Sequence, residues 1–170
     1  MLDLFDKIYS SKEKGKRPGI IFLDIKKAFD TVNRDILLKK LRHYGISGTV
    51  YKWFQSYLNN RYQSTRLGKR IGIELLILWG VPQGSILGPI LFSIFINDII
   101  SVCKYSVPFL FADDGALFMD HVDRNTYSNM KSELKIILNW MRLNKLCLNA
   151  NNKTKFMVFK NESRVVSGHI

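Results

Sequence analysis

A chain of 170 residues that is 46% hydrophobic suits one domain with a core of its own and excludes a disordered tract. A formal net charge of +12 directs attention to polyanionic partners, nucleic acid first; the plain alternative is a basic protein with no such partner. Cys103 and Cys147 form no CxxC and the three histidines are scattered, so buried free thiols are expected rather than a structural zinc or a disulfide framework.

The N-terminal stretch reads as a short amphipathic helix and a charged loop, "SSKEKGKRPG", without the apolar core of a signal peptide. "IIFLDI" from Ile20 is a continuous apolar run, the pattern of a buried strand, and it carries one acid, Asp24. "NRDILLKKLRHYG" predicts a helix capped by Asn33, with Ile36, Leu37, Leu41 and Tyr44 on one face and Gly45 as its stop. "SGTVYKWFQSYLNN" predicts a second, capped by Ser47, with Val50, Trp53, Phe54, Tyr57 and Leu58 on one side. "YQSTRLGKRIGIELLILWG" alternates and breaks at Gly68-Lys69, a hairpin pattern.

"GVPQGSILGPILFSIFINDII" begins as a Gly/Pro loop and continues, with Pro89 in its first turn, as a helix apolar on nearly all faces and expected deep in the core. "VPFLFADDGALFM" predicts a hairpin. "NTYSNMKSELKIILNWMRLNK" predicts a helix with Tyr127, Met130, Leu134, Ile137, Leu138 and Met141 inward. Short strands follow at "LCLN" and "TKFMVF". No apolar stretch is long enough to span a bilayer, and no membrane partner is expected. With the second helix and first hairpin set aside as an insertion, the order is βαββαβ plus a strand, the split βαβ arrangement.

In that arrangement the first strand lies beside the central hairpin, so Asp24 comes next to the tip that carries Asp113 and Asp114. Asp114-Gly115 is a good turn dipeptide, which accounts for one acid and the glycine. Asp113 is left over, and neighbouring carboxylates repel unless a cation holds them. Three such groups at one sheet edge suit hard divalent cations with room for water and phosphates, Mg²⁺ above all, and a pair of these ions is the phosphoryl-transfer clamp of polymerases and nucleases. Alone, Asp24 reads as an ordinary helix-entry acid; beside the acid pair and the "PQG" loop it does not.

"FLDIKKAFDTVNRDILLKKLRHYGI", "YKWFQSYLNNR", "GVPQGSILGPILFSIFINDI", "FADD" and "NKLCLNANNKTKFMVF" resemble, in order and spacing, the reverse transcriptase of non-LTR (LINE-type) retrotransposons. The resemblance implies an α+β polymerase palm: a split βαβ (ferredoxin- or RRM-like) antiparallel sheet with helices packed on one face, plus a partial fingers insertion. It implies RNA-templated DNA synthesis, two Mg²⁺ ions with Mn²⁺ as a substitute, an RNA template, a DNA primer, dNTPs and a nuclear, intracellular site of action. Asp24, Asp113 and Asp114 correspond to the metal-binding catalytic acids. Phe29 matches the bulky aromatic that excludes a ribose 2′-OH; without the motif it reads as a core phenylalanine at a helix start. Gln83 and Gly84 resemble residues that pack on the incoming nucleotide and template base, the alternative being a plain turn. Ala112 corresponds to a residue beside the primer end, or else to a strand interior. Lys153, in "NNKT", corresponds to a catalytic lysine near the leaving pyrophosphate, or else to a solvated lysine in an Asn-rich turn. Arg61, Arg66, Lys69 and Arg70 offer a track for a nucleic-acid backbone, or a solvated hairpin face.

The domain division expected is a fingers remnant at 1–19, a palm at 20–160 with the insertion at about 46–80, and a tail at 161–170. Full fingers, a thumb and an endonuclease would belong to a longer polyprotein. Trp79 before "GVPQG" and Gly115 after "FADD" depart from the family's usual polar or small residue and threonine. The competing function is a catalytically inactive retroelement relic that at most binds nucleic acid non-specifically. An RRM-like RNA-binding domain is the weaker third, for want of its aromatic signature.

Overall fold

A computed structural model describes residues 2–112, 114–149, 154–159 and 165–169, with the side chains of 124, 125 and 165–169 left outside the description. The chain divides into two compact units, 1–26 with 97–170, and 27–96.

The first unit is built on a five-stranded antiparallel sheet. Its strands are β1 (Gly19–Asp24), β6 (Val107–Phe111), β7 (Asp114–Met119), β8 (Lys155–Phe159) and β9 (Val165–His169), ordered β6-β7-β1-β8-β9. The order β8-β1-β7-β6 is the expected split βαβ sheet. The segment expected as a tail adds β9 at its edge. "LCLN" forms no strand; Leu148 makes a single bridge to Ile25.

Alternation along the strands explains how the sheet is covered. Ile20, Ala116 and Phe118 share one face and pack with Leu4 and Ile8 of α1 (Leu2–Glu13). Ile21, Leu23, Leu117 and Met119, on the other face, are buried as well. Asp120, just after β7, accepts hydrogen bonds from Ser11 and from Lys16, with which it pairs. The Lys16 bond first, then that from Ser11, holds the Asp120 carboxyl below its ordinary range.

A 3₁₀ turn (Asn97–Val102) leads towards β6, and α5 (Arg124–Leu143) is capped by Asp123, whose carboxylate accepts from Thr126 N at 2.7 Å. Met130, Ile137 and Met141 of α5 are buried as expected, but Tyr127 and Leu138 are exposed. Their places on the inward stripe go to Trp140 and to Glu133, which is 1% exposed. Glu133 accepts from the backbone N–H of Lys104 (2.7 Å), Tyr105 (3.1 Å) and Ser106 (3.3 Å) and from the Ser106 hydroxyl (3.1 Å). A run of backbone donors thus satisfies a carboxylate in the interior. Burial, then the Glu133 charge, pushes the neighbouring Cys103 thiol up to about 11. Cys103 is half-buried, whereas Cys147, expected inside, is exposed.

The second unit holds α2 (Arg34–His43), α3 (Gly48–Leu58), α4 (Leu87–Ile96) and two short ladders. Asn33 caps α2 through a 2.9 Å bond from Ile36 N. Leu37 and Leu41 are buried with Leu38, while Tyr44 is exposed. Ser47 occupies the cap position of α3 without a side-chain bond. Tyr51 and Leu58 are the buried residues of that helix; Val50 and Trp53 are exposed, so its inward face is rotated from the one expected. Helix α4 buries Leu91, Phe92, Phe95 and Ile96 but exposes Pro89, Ile90 and Ser93; it has an outer face, where burial all round was expected. The expected hairpin is two nested ladders, β2 (Arg61–Gln63) with β5 (Leu75–Ile77) outside and β3 (Arg66–Leu67) with β4 (Arg70–Ile71) inside, reversing at Gly68. Among the described residues, no helix is long and apolar enough to cross a membrane.

Glu133→Ala removes the acceptor of three backbone N–H groups and one hydroxyl and is expected to lower unfolding stability by about 2–3 kcal/mol in urea denaturation. Glu133→Gln, which keeps an acceptor, is expected to lose less.

Candidate active site

The site is set by one register. Along β1 and β7, Ile20 lies opposite Phe118, Phe22 opposite Ala116, and Asp24 opposite Asp114. Side chains of directly opposed residues leave the same face, so the two carboxylates stand side by side where both strands reach the edge. Like charges in that position destabilise a ladder, and two hard oxygen donors suit a divalent cation. Among the described residues, no group of three His, Cys, Asp or Glu side chains gathers to hold a metal; the third expected acid, Asp113, lies outside the described residues, as does Lys153.

The hairpin tip differs in detail from the expected one. Pairing of β6 with β7 continues to Phe111 opposite Asp114, so the chain reverses around Ala112 and not at Asp114-Gly115. Ala112 is exposed and takes φ +52°, a conformation that costs a non-glycine residue about 1 kcal/mol. It is therefore a tip residue rather than a strand interior. Gly115 is a buried strand residue, where an added Cβ would come within 3.3 Å of Leu23 Cβ. The glycine in place of the family's threonine thus sits where the facing leucine leaves little room.

Asp24 is partly buried and tied to the segment after α5. Its carboxylate Oδ2 accepts from Asn149 Nδ2 at 3.1 Å, and its backbone oxygen accepts from Asn149 N at 2.8 Å.

In the second unit, Phe29 lies in a turn, not at a helix start, with its ring 4.8 Å from that of Phe92. The "GVPQG" loop is stitched to the same turn. Val81 N donates to Phe29 O (2.9 Å), Gly80 N to Val32 O (2.8 Å), and Gln83 Nε2 to Asp30 Oδ1 (2.6 Å). Gly80 has φ +83°, and an added Cβ would lie 2.9 Å from the Phe29 and Asp30 backbone; only glycine permits that approach. Gly84 is exposed at φ +75° with open space around it. Gln83 and Arg61 line one cleft of about 600 Å³ with Asp30, Arg34, Tyr62 and Trp79. Arg66, Lys69 and Arg70 are exposed along the nested ladders.

Arg34 was not singled out from the sequence. It is 6% exposed, and its guanidinium donates to the carbonyls of Ile77 (2.6 Å), Gly80 (2.9 Å) and Trp79 (3.1 Å). Burial, then the Arg61 charge, lowers its pKa from the ordinary value. A cation in the first turn of a helix opposes the macrodipole, and that anomaly was the available signal.

A sequence model described as "Reverse transcriptase (RNA-dependent DNA polymerase)" matches residues 3–169. The chain belongs to the reverse transcriptase family. Members generally use divalent metal ions and work on RNA templates. A Pol polyprotein from the type-1 retrotransposable element R2 of Popillia japonica is 34% identical over 88 residues, 52% of this chain and 14% of that protein. A probable RNA-directed DNA polymerase from transposon X-element of Drosophila melanogaster is 34% identical over 110 residues, 62% of this chain and 12% of that protein. The matched stretches thus span only a small part of these longer relatives. Among solved structures, telomerase from Candida tropicalis in complex with a fragment of telomeric RNA matches 98% of this chain and 29% of its own, with TM-score 0.70 and 13% identity. Apo telomerase from the same organism matches 99% and 34%, with TM-score 0.65 and 13% identity. At that identity the likeness is one of fold, and it bears out the α+β reverse transcriptase architecture.

Arg34→Ala removes a buried guanidinium that bonds three carbonyls and is expected to destabilise the 27–96 unit by about 2–3 kcal/mol. Arg34→Lys is expected to recover only part of this, because a point charge does not reproduce the planar fork. Denaturant midpoints read by tryptophan fluorescence check both.

Proposed function

We propose that the chain performs RNA-templated DNA synthesis by two-metal nucleotidyl transfer, as the palm portion of a longer non-LTR retrotransposon polymerase. The observation that carries this is the pairing of Asp24 directly opposite Asp114, two carboxylates on one face at a sheet edge, in a chain of the reverse transcriptase family.

Asp24 and Asp114, with Asp113, would hold two Mg²⁺ ions, Mn²⁺ substituting. When bound, such ions activate a primer 3′-hydroxyl and neutralise a triphosphate as pyrophosphate leaves. The remaining work is positioning. Phe29 disfavours a ribose 2′-OH by bulk, supported by the Phe92 ring that fixes it. Gln83, which carries both donor and acceptor, and Gly84, which admits close backbone approach, pack on the incoming dNTP and template base. Ala112, small and exposed at the tip, lies beside the primer end. Lys153 stabilises or protonates the leaving pyrophosphate. Arg61, Arg66, Lys69 and Arg70, four exposed cations in the nested ladders, follow the template–primer backbone.

Extension of oligo(dT) on poly(rA) tests this. For the chain within its longer polymerase, the expected outcome is extension with Mg²⁺ or Mn²⁺ that EDTA abolishes and that falls to background in Asp24→Asn and Asp113→Ala; the isolated chain is expected to extend little. Binding of template–primer without extension, unchanged by either substitution, would instead identify an inert relic. In a salt titration of template–primer binding, Arg66→Gln and Arg70→Gln are each expected to reduce the log–log slope by about 1.

A further inference from the structure

The short segment after α5 is the part of the sheet unit for which neither the sequence nor the proposed function supplies a role. Expected as a strand, it forms instead a three-residue strap along the end of β1. Lys26 N donates to Cys147 O at 2.9 Å, Leu148 bridges Ile25, and Asn149 N donates to Asp24 O at 2.8 Å. The Asn149 side chain then adds a second bond to the same residue, Nδ2 to Asp24 Oδ2 at 3.1 Å. Asp24 is thus gripped at its backbone and at its carboxylate by a single residue 125 positions away.

This arrangement is more than strap anchoring. The backbone contacts alone fix the strap to the end of β1. The carboxamide bond acts on a group with two rotatable bonds and selects one orientation of the carboxylate, at a cost in side-chain entropy met before any ligand arrives. A neutral donor suits such a role, because it holds one oxygen while leaving the charge in place to attract a cation, whereas a lysine there would neutralise it. Groups that orient a ligating carboxylate in this way govern metal affinity without touching the metal.

We propose that Asn149 is a positioning residue for Asp24, presetting its carboxylate for a divalent cation shared with Asp114. The proposal rests on the metal-dependent function above. Mn²⁺ titration of the full chain, followed by the electron paramagnetic resonance of the free ion, tests it. Asn149→Ala, which keeps the backbone bond, is expected to weaken Mn²⁺ binding about tenfold or more. The same substitution in an Asp24→Asn background is expected to have no further effect, because Asn149 acts through Asp24. In the metal-free chain, the Asn149 side-chain amide resonance is expected to shift in Asp24→Asn and to stay put in Asp114→Asn. Unchanged affinity in Asn149→Ala, an equal loss in the Asp24→Asn background, or an amide resonance indifferent to Asp24→Asn would each overturn the proposal. Should the wild-type chain bind no Mn²⁺, the metal-dependent function fails, and the resonance shift alone decides whether Asn149 orients Asp24.

Discussion

The alignment of β1 against β7 is the constraint on which the rest depends. Strand side chains alternate with a period of two, so a slip of one residue would send Asp24 to the opposite face from Asp114 and turn Ile20 away from Phe118. The apolar pairs fix the register, because Ile20 and Phe118 on one face and Ile21 and Leu117 on the other are all buried, and each face needs its own set of residues. The acids inherit their position from that packing. Repulsion between them works against the ladder, and the burial of Ile20, Ile21, Leu117 and Phe118 outweighs it.

Within each unit the chain invests in fixed backbone. Glu133 gathers the N–H groups of residues 104–106 just before β6, and Asn149 grips the end of β1. In the helical unit, Arg34 and Gly80 stitch the "GVPQG" loop to the turn that carries Phe29. Glu133 and Arg34 are buried polar groups whose partners are mostly main-chain atoms, so they specify one path for the chain. A polymerase that works mainly by positioning and neutralising charge has use for such rigidity.

Much of this was legible in the residues. The continuous run "IIFLDI", the Asn33 cap and the apolar halves of "VPFLFADDGALFM" gave the strand, the helix and the hairpin, and the order of elements gave the split βαβ sheet with Asp24 beside the tip. What escaped has physical causes. Tyr127 and Leu138 sit on the hydrophobic stripe of α5 by pattern, yet Glu133 and Trp140 are inside, because an acid can be buried when backbone donors surround it, and no periodicity reports those donors. Asp114-Gly115 has the chemistry of a turn, but the register carries Gly115 into the strand where Leu23 crowds it, leaving Ala112 to reverse the chain. Arg34 and Asn149 act on partners far away in sequence, contacts that a local pattern does not encode.

Everything proposed for the site depends on the β1–β7 register building a divalent-cation site from Asp24 and Asp114. Anomalous diffraction from crystals of the chain soaked in Mn²⁺ tests this most directly. The expected result is an anomalous peak within coordination distance of both the Asp24 and Asp114 carboxylates. A peak elsewhere, no peak at all, or a β1–β7 ladder in which the two acids are not opposite one another would contradict it.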